Sequence, residues 1–133
     1  MGVVMLNGKQ YNTILKGMSM DNYSTTEHIV GTWIDGRPIY EITLDVNTTL
    51  SSGENTLYHS ISDLDMCIFI TGCCTYNNGS EWLILPYVSP DYVSNYSVTI
   101  GNVNSSTYKI FVGQMFTSIE NIYVTLRYVK TAS

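Results

Sequence analysis

Charge is what this sequence has least of. Only 13% of its 133 residues are Asp, Glu, Lys or Arg, and six of these are basic. Lys9, Lys16, Arg37, Lys109, Arg127 and Lys130 are scattered along the chain. That distribution argues against a nucleic-acid partner, because holding a phosphate backbone takes a basic stripe that neutralises several phosphates. Alanine is nearly missing too, with Ala132 the only one. Without the best helix former, long helices have little to build on. No apolar run approaches the ~20 residues of a membrane span, so no membrane partner is expected. Met1 to Leu6 is too short for a signal-peptide core. The sequence also has no Gly-rich phosphate loop, no alternation of strand and helix patterns, and no repeat of fixed period.

Cysteine is sparse and odd in number. Cys67, Cys73 and Cys74 cannot all pair within one chain. The neighbours Cys73 and Cys74 point to opposite faces of a strand, and a bond between them would need strained geometry. A zinc site needs a fourth ligand at paired spacing, which His28 and His59 do not supply. Reduced thiols, no metal and no cofactor are the expectation.

What the chain does hold is Tyr, Ser, Thr and Asn, with 11 tyrosines and a hydrophobic fraction of 44%. Aromatic and β-branched residues suit pleated surfaces. At this length one core is expected, with about two-thirds of the unfolded surface buried on folding. Ile122, Val124, Leu126 and Tyr128 share one face of a strand against Thr125 and Arg127. Tyr96, Val98 and Ile100 likewise alternate with Ser97 and Thr99. Further strands are expected near residues 56–61, 66–76, 82–88 and 107–113, separated by Asp63-Leu-Asp65, Asn77-Asn-Gly-Ser80, Ser89-Pro-Asp91 and Asn102 to Ser106. Asn47 to Asn55 reads as a polar turn region. The fold class is all-β, an antiparallel β-sandwich for which a jelly roll is one arrangement.

The clearest local signal is a hairpin turning at Asp35-Gly36. Ile29, Val30, Trp33 and Ile34 precede it, and Tyr40, Ile42 and Leu44 follow. An Asp-Gly pair between apolar runs suits a tight type I′ turn pairing the strands around Trp33 and Tyr40. Ser24-Thr-Thr-Glu27 has the spacing of a helix capping box, but Gly31 and the β-branched run speak against a helix. Asn7-Gly8 marks a smaller hairpin near the amino terminus. Residues 1–22 are therefore read as an attachment arm and residues 23–133 as the sandwich domain.

Catalytic constellations are weak. Asp63 and Asp65 are close in sequence, but two aspartates in a turn more simply cap it than act on a sugar. Any Ser/His/Asp set drawn from so much Ser carries no information. The aromatic residues are the better candidates for binding. Tyr76, Tyr92 and Trp82 could contact a glycan or a partner, since an aromatic ring stacks on the apolar face of a sugar. The plainer reading makes Trp33 and Trp82 core anchors.

The hairpin segment YSTTEHIVGTWIDGRPIYEITL, residues 23–44, resembles YSTTEQVVGTWIDGKPLYQKTI, a segment of small structural proteins of tailed bacteriophages, many from phages of gut bacteria. The likeness continues through Leu57-Tyr-His-Ser-Ile61, loosely matching an HGI-like step, and Leu85-Pro86-Tyr87, matching LPY. Ile122 to Thr131 is similar to a closing strand of the type AYVTIQYTKTTD. It is weakest between residues 62 and 81, where the Cys73-Cys74 pair departs from the pattern. The resemblance implies a non-enzymatic virion component made in the bacterial cytoplasm: a head fibre, a capsid decoration or a small tail or baseplate part. It further implies a homotrimer touching other virion proteins and adhering to the host. A host-glycan-binding module is the first rival reading, and a polysaccharide-degrading enzyme the second.

The cysteine pattern generates a direct expectation. Thiol titration of fresh protein in denaturant should find all three cysteines free, with no stoichiometric zinc. A count of one would refute it.

Overall fold

The computed structural model describes residues 23–76, 79–89 and 96–132. The expected hairpin within residues 1–22, the Asn77-Asn78 and Pro90-Asp91 turn positions, and Tyr92 lie outside the described residues. Among the described residues there are ten strands and no helix: β1 (His28–Thr32), β2 (Pro38–Val46), β3 (Leu50–Ser51), β4 (Gly53–Tyr58), β5 (Leu64–Tyr76), β6 (Glu81–Leu85), β7 (Tyr87–Val88), β8 (Ser97–Gly101), β9 (Thr107–Val112) and β10 (Ser118–Lys130).

The strands form two antiparallel sheets. The larger runs β1-β2-β10-β5-β6, with β3 beside the start of β10, and the smaller runs β4-β9-β8-β7. The outer pairs, β2 with β10 and β4 with β9, are nested as in a jelly roll. The remaining strands pair with sequence neighbours, β5 with β6, β7 with β8 and β8 with β9. The run expected as one strand over 82–88 is two strands. Pro86 has no N–H to give a ladder, and at this point the chain leaves the larger sheet as β6 and enters the smaller one as β7.

The alternation read from β10 is its packing. Ile122, Val124, Leu126 and Tyr128 are fully buried, and Leu83, Leu85, Val98, Tyr108, Ile110 and Val112 from both sheets are buried with them. Burying a side chain of this kind contributes about 1.5–3 kcal/mol. Burial also pushes the Tyr108 hydroxyl pKa up to about 12. Phe116 takes the ring edges of Tyr76, Tyr87 and Tyr96 at centroid distances of 5.0, 6.2 and 5.9 Å. Leu50 is the apolar residue within the polar region expected as turn from Asn47 to Asn55. It is buried, and its pairing with Ile119 makes part of that region strand β3.

The Asp35-Gly36 hairpin is present with a different turn. Gly36 N–H donates to the Trp33 carbonyl at 2.9 Å and Trp33 N–H to the Arg37 carbonyl at 2.8 Å. Gly36 alone of the pair has positive φ, at 93°. Ile34 and Asp35 are thus the central residues, and Gly36 supplies the left-handed position of a three-residue loop. The register then sets Tyr40 opposite Ile29 rather than Trp33, with an irregularity between Ile29 and Gly31. Gly72 serves a different need. A Cβ there would lie 2.3 Å from the Tyr123 carbonyl oxygen, where β5 and β10 run together.

Two substitutions test these positions. Gly36→Val forces a β-branched residue to positive φ and should cost more than about 1 kcal/mol, lowering the melting temperature by ~4 °C. Gly72→Ala drives a methyl group into backbone and should cost about 3 kcal/mol or more. Unchanged thermal melts in either variant would contradict the corresponding geometry.

Candidate interaction surface

Strand register places the outward side chains of the larger sheet in rows across β2, β10, β5 and β6. The first row is Glu41, Arg127 and Phe69. The second is Thr43, Thr125 and Thr71, and the third is Asp45, Tyr123, Cys73 and Ile84. Trp82 stands beside Thr75 in the next. Cross-strand neighbours of this kind lie close enough to interact directly.

The first row is ionic. Glu41 is only 1% exposed, and its Oε2 accepts from Arg127 Nε at 2.7 Å. The guanidinium also lies over the Phe69 ring, 5.4 Å from its centroid. Glu41 Oε1 has no hydrogen-bond partner, and His28 Nε2 stands 3.5 Å away. His28 Nδ1 meets the Thr26 carbonyl at 3.0 Å, so that nitrogen is the donor. In the neutral ring Nε2 then turns a lone pair toward the carboxylate. The second row is neutral, with Thr43 and Thr125 hydroxyls 2.8 Å apart.

The third row turns apolar. A groove of about 460 Å³ is lined by Tyr23, Thr43, Thr71, Gly72, Cys73, Ile84, Tyr123 and Thr125. Ile84 is 69% exposed and Trp82 56%, both on β6, with Phe69 and Tyr123 also exposed on this face. Alternation along β6 explains the exposure: Leu83 and Leu85 point into the core, which leaves Trp82 and Ile84 outside. Trp82 is therefore a surface residue, and the core-anchor reading fails for it. Trp33 is half-buried by the turn. Tyr76 is half-buried against Phe116 and does not join the groove, and Tyr92 lies outside the described residues. Tyr23 and Ile84 are the groove residues that sequence reading missed. Tyr123 was legible in the alternation of its strand, but exposure on a second face carries no pattern of its own.

Cys67, Cys73 and Cys74 are free. Burial raises all three thiol pKa values, Cys74 to about 12, where Cys73 beside it adds to the effect. Such thiols are poor nucleophiles at neutral pH. Asp35 and Asp65 both bind Arg37, at 2.8 and 2.6 Å, and Arg37 also donates to the Lys130 carbonyl at 2.9 Å. The Arg37 backbone N–H, followed by its side chain, holds the Asp35 carboxyl below its usual pKa. Asp65 thus clamps the hairpin to β5 rather than pairing with Asp63 across a cleft. Among the described residues no three of His, Cys, Asp and Glu gather where they could hold a metal ion.

Removing the guanidinium should expose the dependence of buried Glu41 on it. Arg127→Ala should cost roughly 3 kcal/mol in chemical denaturation, because a buried charge loses its partner. Glu41→Gln in the same background should recover part of that loss. An Arg127→Ala protein as stable as the parent would show that the pair does not hold these strands.

No family model, curated protein or solved structure matches this chain.

Proposed function

We propose that this chain is a non-enzymatic structural protein of a tailed-phage particle, built as a homotrimer through the outer face of its larger sheet. Its place on the virion is that of a head fibre, a capsid decoration or a small tail or baseplate part. The observation that carries the reading is the row of exposed apolar side chains on β6, Trp82 and Ile84, continuing into the groove beside Tyr123. Monomeric proteins rarely leave such contiguous apolar surface open. Aromatic residues are enriched and Lys and Glu depleted at interface cores, which matches the composition of this patch. Asp63 and Asp65 have structural roles, Asp63 through its carbonyl, which accepts from Thr131 N–H at 2.8 Å, and Asp65 through Arg37. The likeness to phage structural proteins over residues 23–131 supplies the setting, and residues 1–22 serve as the attachment arm in this reading.

Size-exclusion chromatography with light scattering tests the assembly. The parent protein should elute at about three times the 14.9 kDa chain mass. Ile84→Glu combined with Trp82→Ser should yield monomer with an unchanged far-ultraviolet spectrum. A monomeric parent at micromolar concentration would sink the proposal.

A further inference from the structure

The ion pair at Glu41 is half built. Arg127 occupies Oε2, while Oε1 is buried with no hydrogen-bond partner among the described residues. A carboxylate has two oxygens to satisfy, and leaving one of them buried and bare carries a desolvation cost. Strand register brings a donor within reach. His28, the first residue of β1, is the direct cross-strand partner of Glu41, and its Nε2 stands 3.5 Å from Oε1. The other ring nitrogen, Nδ1, lies 3.0 Å from the Thr26 carbonyl. The imidazole is therefore set between two acceptor oxygens. Either neutral tautomer turns a lone pair on one of them, and the imidazolium alone donates to both. The ring is partly exposed, so solvent can supply the second proton.

We infer that His28 is an acid-operated latch on β1: once protonated, its ring donates to Thr26 and Glu41 together and closes a His28–Glu41–Arg127 chain across three strands. Closing takes the Nε2 to Oε1 gap down to the ~2.7–2.9 Å of a charge-assisted bond, a small side-chain adjustment. The surrounding charges make it a switch rather than a fixed salt bridge. On β2 the ring faces Glu41, and beyond it on β10 lies Arg127, which already balances that carboxylate and rests on the Phe69 ring of β5. Glu27, next to His28 in sequence, is engaged by Tyr128 and Lys130 of β10. The imidazolium thus gains a hydrogen bond but is repelled by Arg127, and it gives up its proton as the pH rises. The sign follows from proton uptake: folding that takes up a proton is favoured in acid, and the contribution fades toward alkaline pH. β1 is an edge of its sheet, so the latch acts where ladder support is least. His59 works in the opposite sense. It is buried, its Nε2 meets the Asn104 carbonyl at 2.8 Å, and its Nδ1 accepts from Ile61 N–H at 3.0 Å. A second proton there breaks a bond instead of making one. The latch works within one chain and does not depend on how chains assemble.

Chemical denaturation of the full chain tests it, with parent and His28→Gln compared at equal concentration at about pH 5.5 and about pH 7.5. Both proteins carry His59, so the comparison isolates His28. Glutamine can donate to the carboxylate at either pH, so the variant should fold and lose only the pH response of this site. The folding equilibrium constant of the parent relative to the variant should rise about threefold or more from the higher pH to the lower. Amide-exchange protection of residues 28–32 should rise with it in the parent and stay level in the variant. Nitrogen-15 spectra of the parent ring give a reading that needs no variant: at the lower pH the Nε2 proton of His28 should be sheltered from exchange with water. A ratio that stays level or falls in acid, as it would if another group capped Oε1, would overturn the inference. A His28 ring that exchanges its Nε2 proton as freely as a solvated imidazole would do so as well.

Discussion

Everything in this domain hangs on β10 having a strand on each side. Of its thirteen residues, Ile122 to Tyr128 run between β2 and β5, and Ser118 and Ile119 pair with β3 at the start. A strand so placed satisfies most of its backbone groups through both neighbours, because buried N–H and C=O groups need partners. That demand fixes the register of β2 and β5, and the register in turn decides which side chains meet. Ile122, Val124, Leu126 and Tyr128 close the core on one face. On the other face the same strand supplies Tyr123, Thr125 and Arg127, one member of each of the first three outer rows.

The tethers near the end of β10 follow from this. Tyr128 donates its hydroxyl to Glu27, and Lys130 pairs with the same carboxylate at 2.7 Å. Desolvation, with the Glu27 contact adding to it, drives the Tyr128 hydroxyl pKa far up, so it remains a donor. Lys130 also lies over the Tyr40 ring, 4.9 Å from its centroid, and Tyr40 stacks on Tyr128. Arg37 binds the Lys130 carbonyl from the hairpin side. The acidic residue before β1 and the basic residue after the turn thus do one job: they fasten the first hairpin to the last strand. Ser24 to Thr26 forms a local turn, with Ser24 Oγ accepting from Thr26 N–H at 3.0 Å, and no helix follows.

The larger sheet shows how one pleated surface can carry unlike chemistry. Side chains of period two leave its outer face free of the packing rules that govern the core. The face grades from a buried ion pair at Glu41, through threonine hydroxyls, to an apolar groove and then a polar depression. Tyr123 lines both of the last two.

The sequence by itself determined the fold class, the alternation along β10, and the existence of a turn at Asp35-Gly36. These are local properties: they follow from backbone sterics, from side-chain shape and from the two-residue period of a strand. Asn102 to Ser106 was legible in the same way, and Asn104 Oδ1 there accepts from the N–H groups of Ser106 and Thr107. Tertiary structure decided the rest. Leu50 becomes a strand residue because Ile119 is available to pair with it. Pro86 marks a change of sheet only once both sheets exist. Trp82 lies outside because its strand has one neighbour and turns its other face inward. Glu41 meets Arg127, and Asp45 meets Tyr123, across gaps of 86 and 78 residues in sequence. Register makes such neighbours, and a slip of one residue would send each to the opposite face.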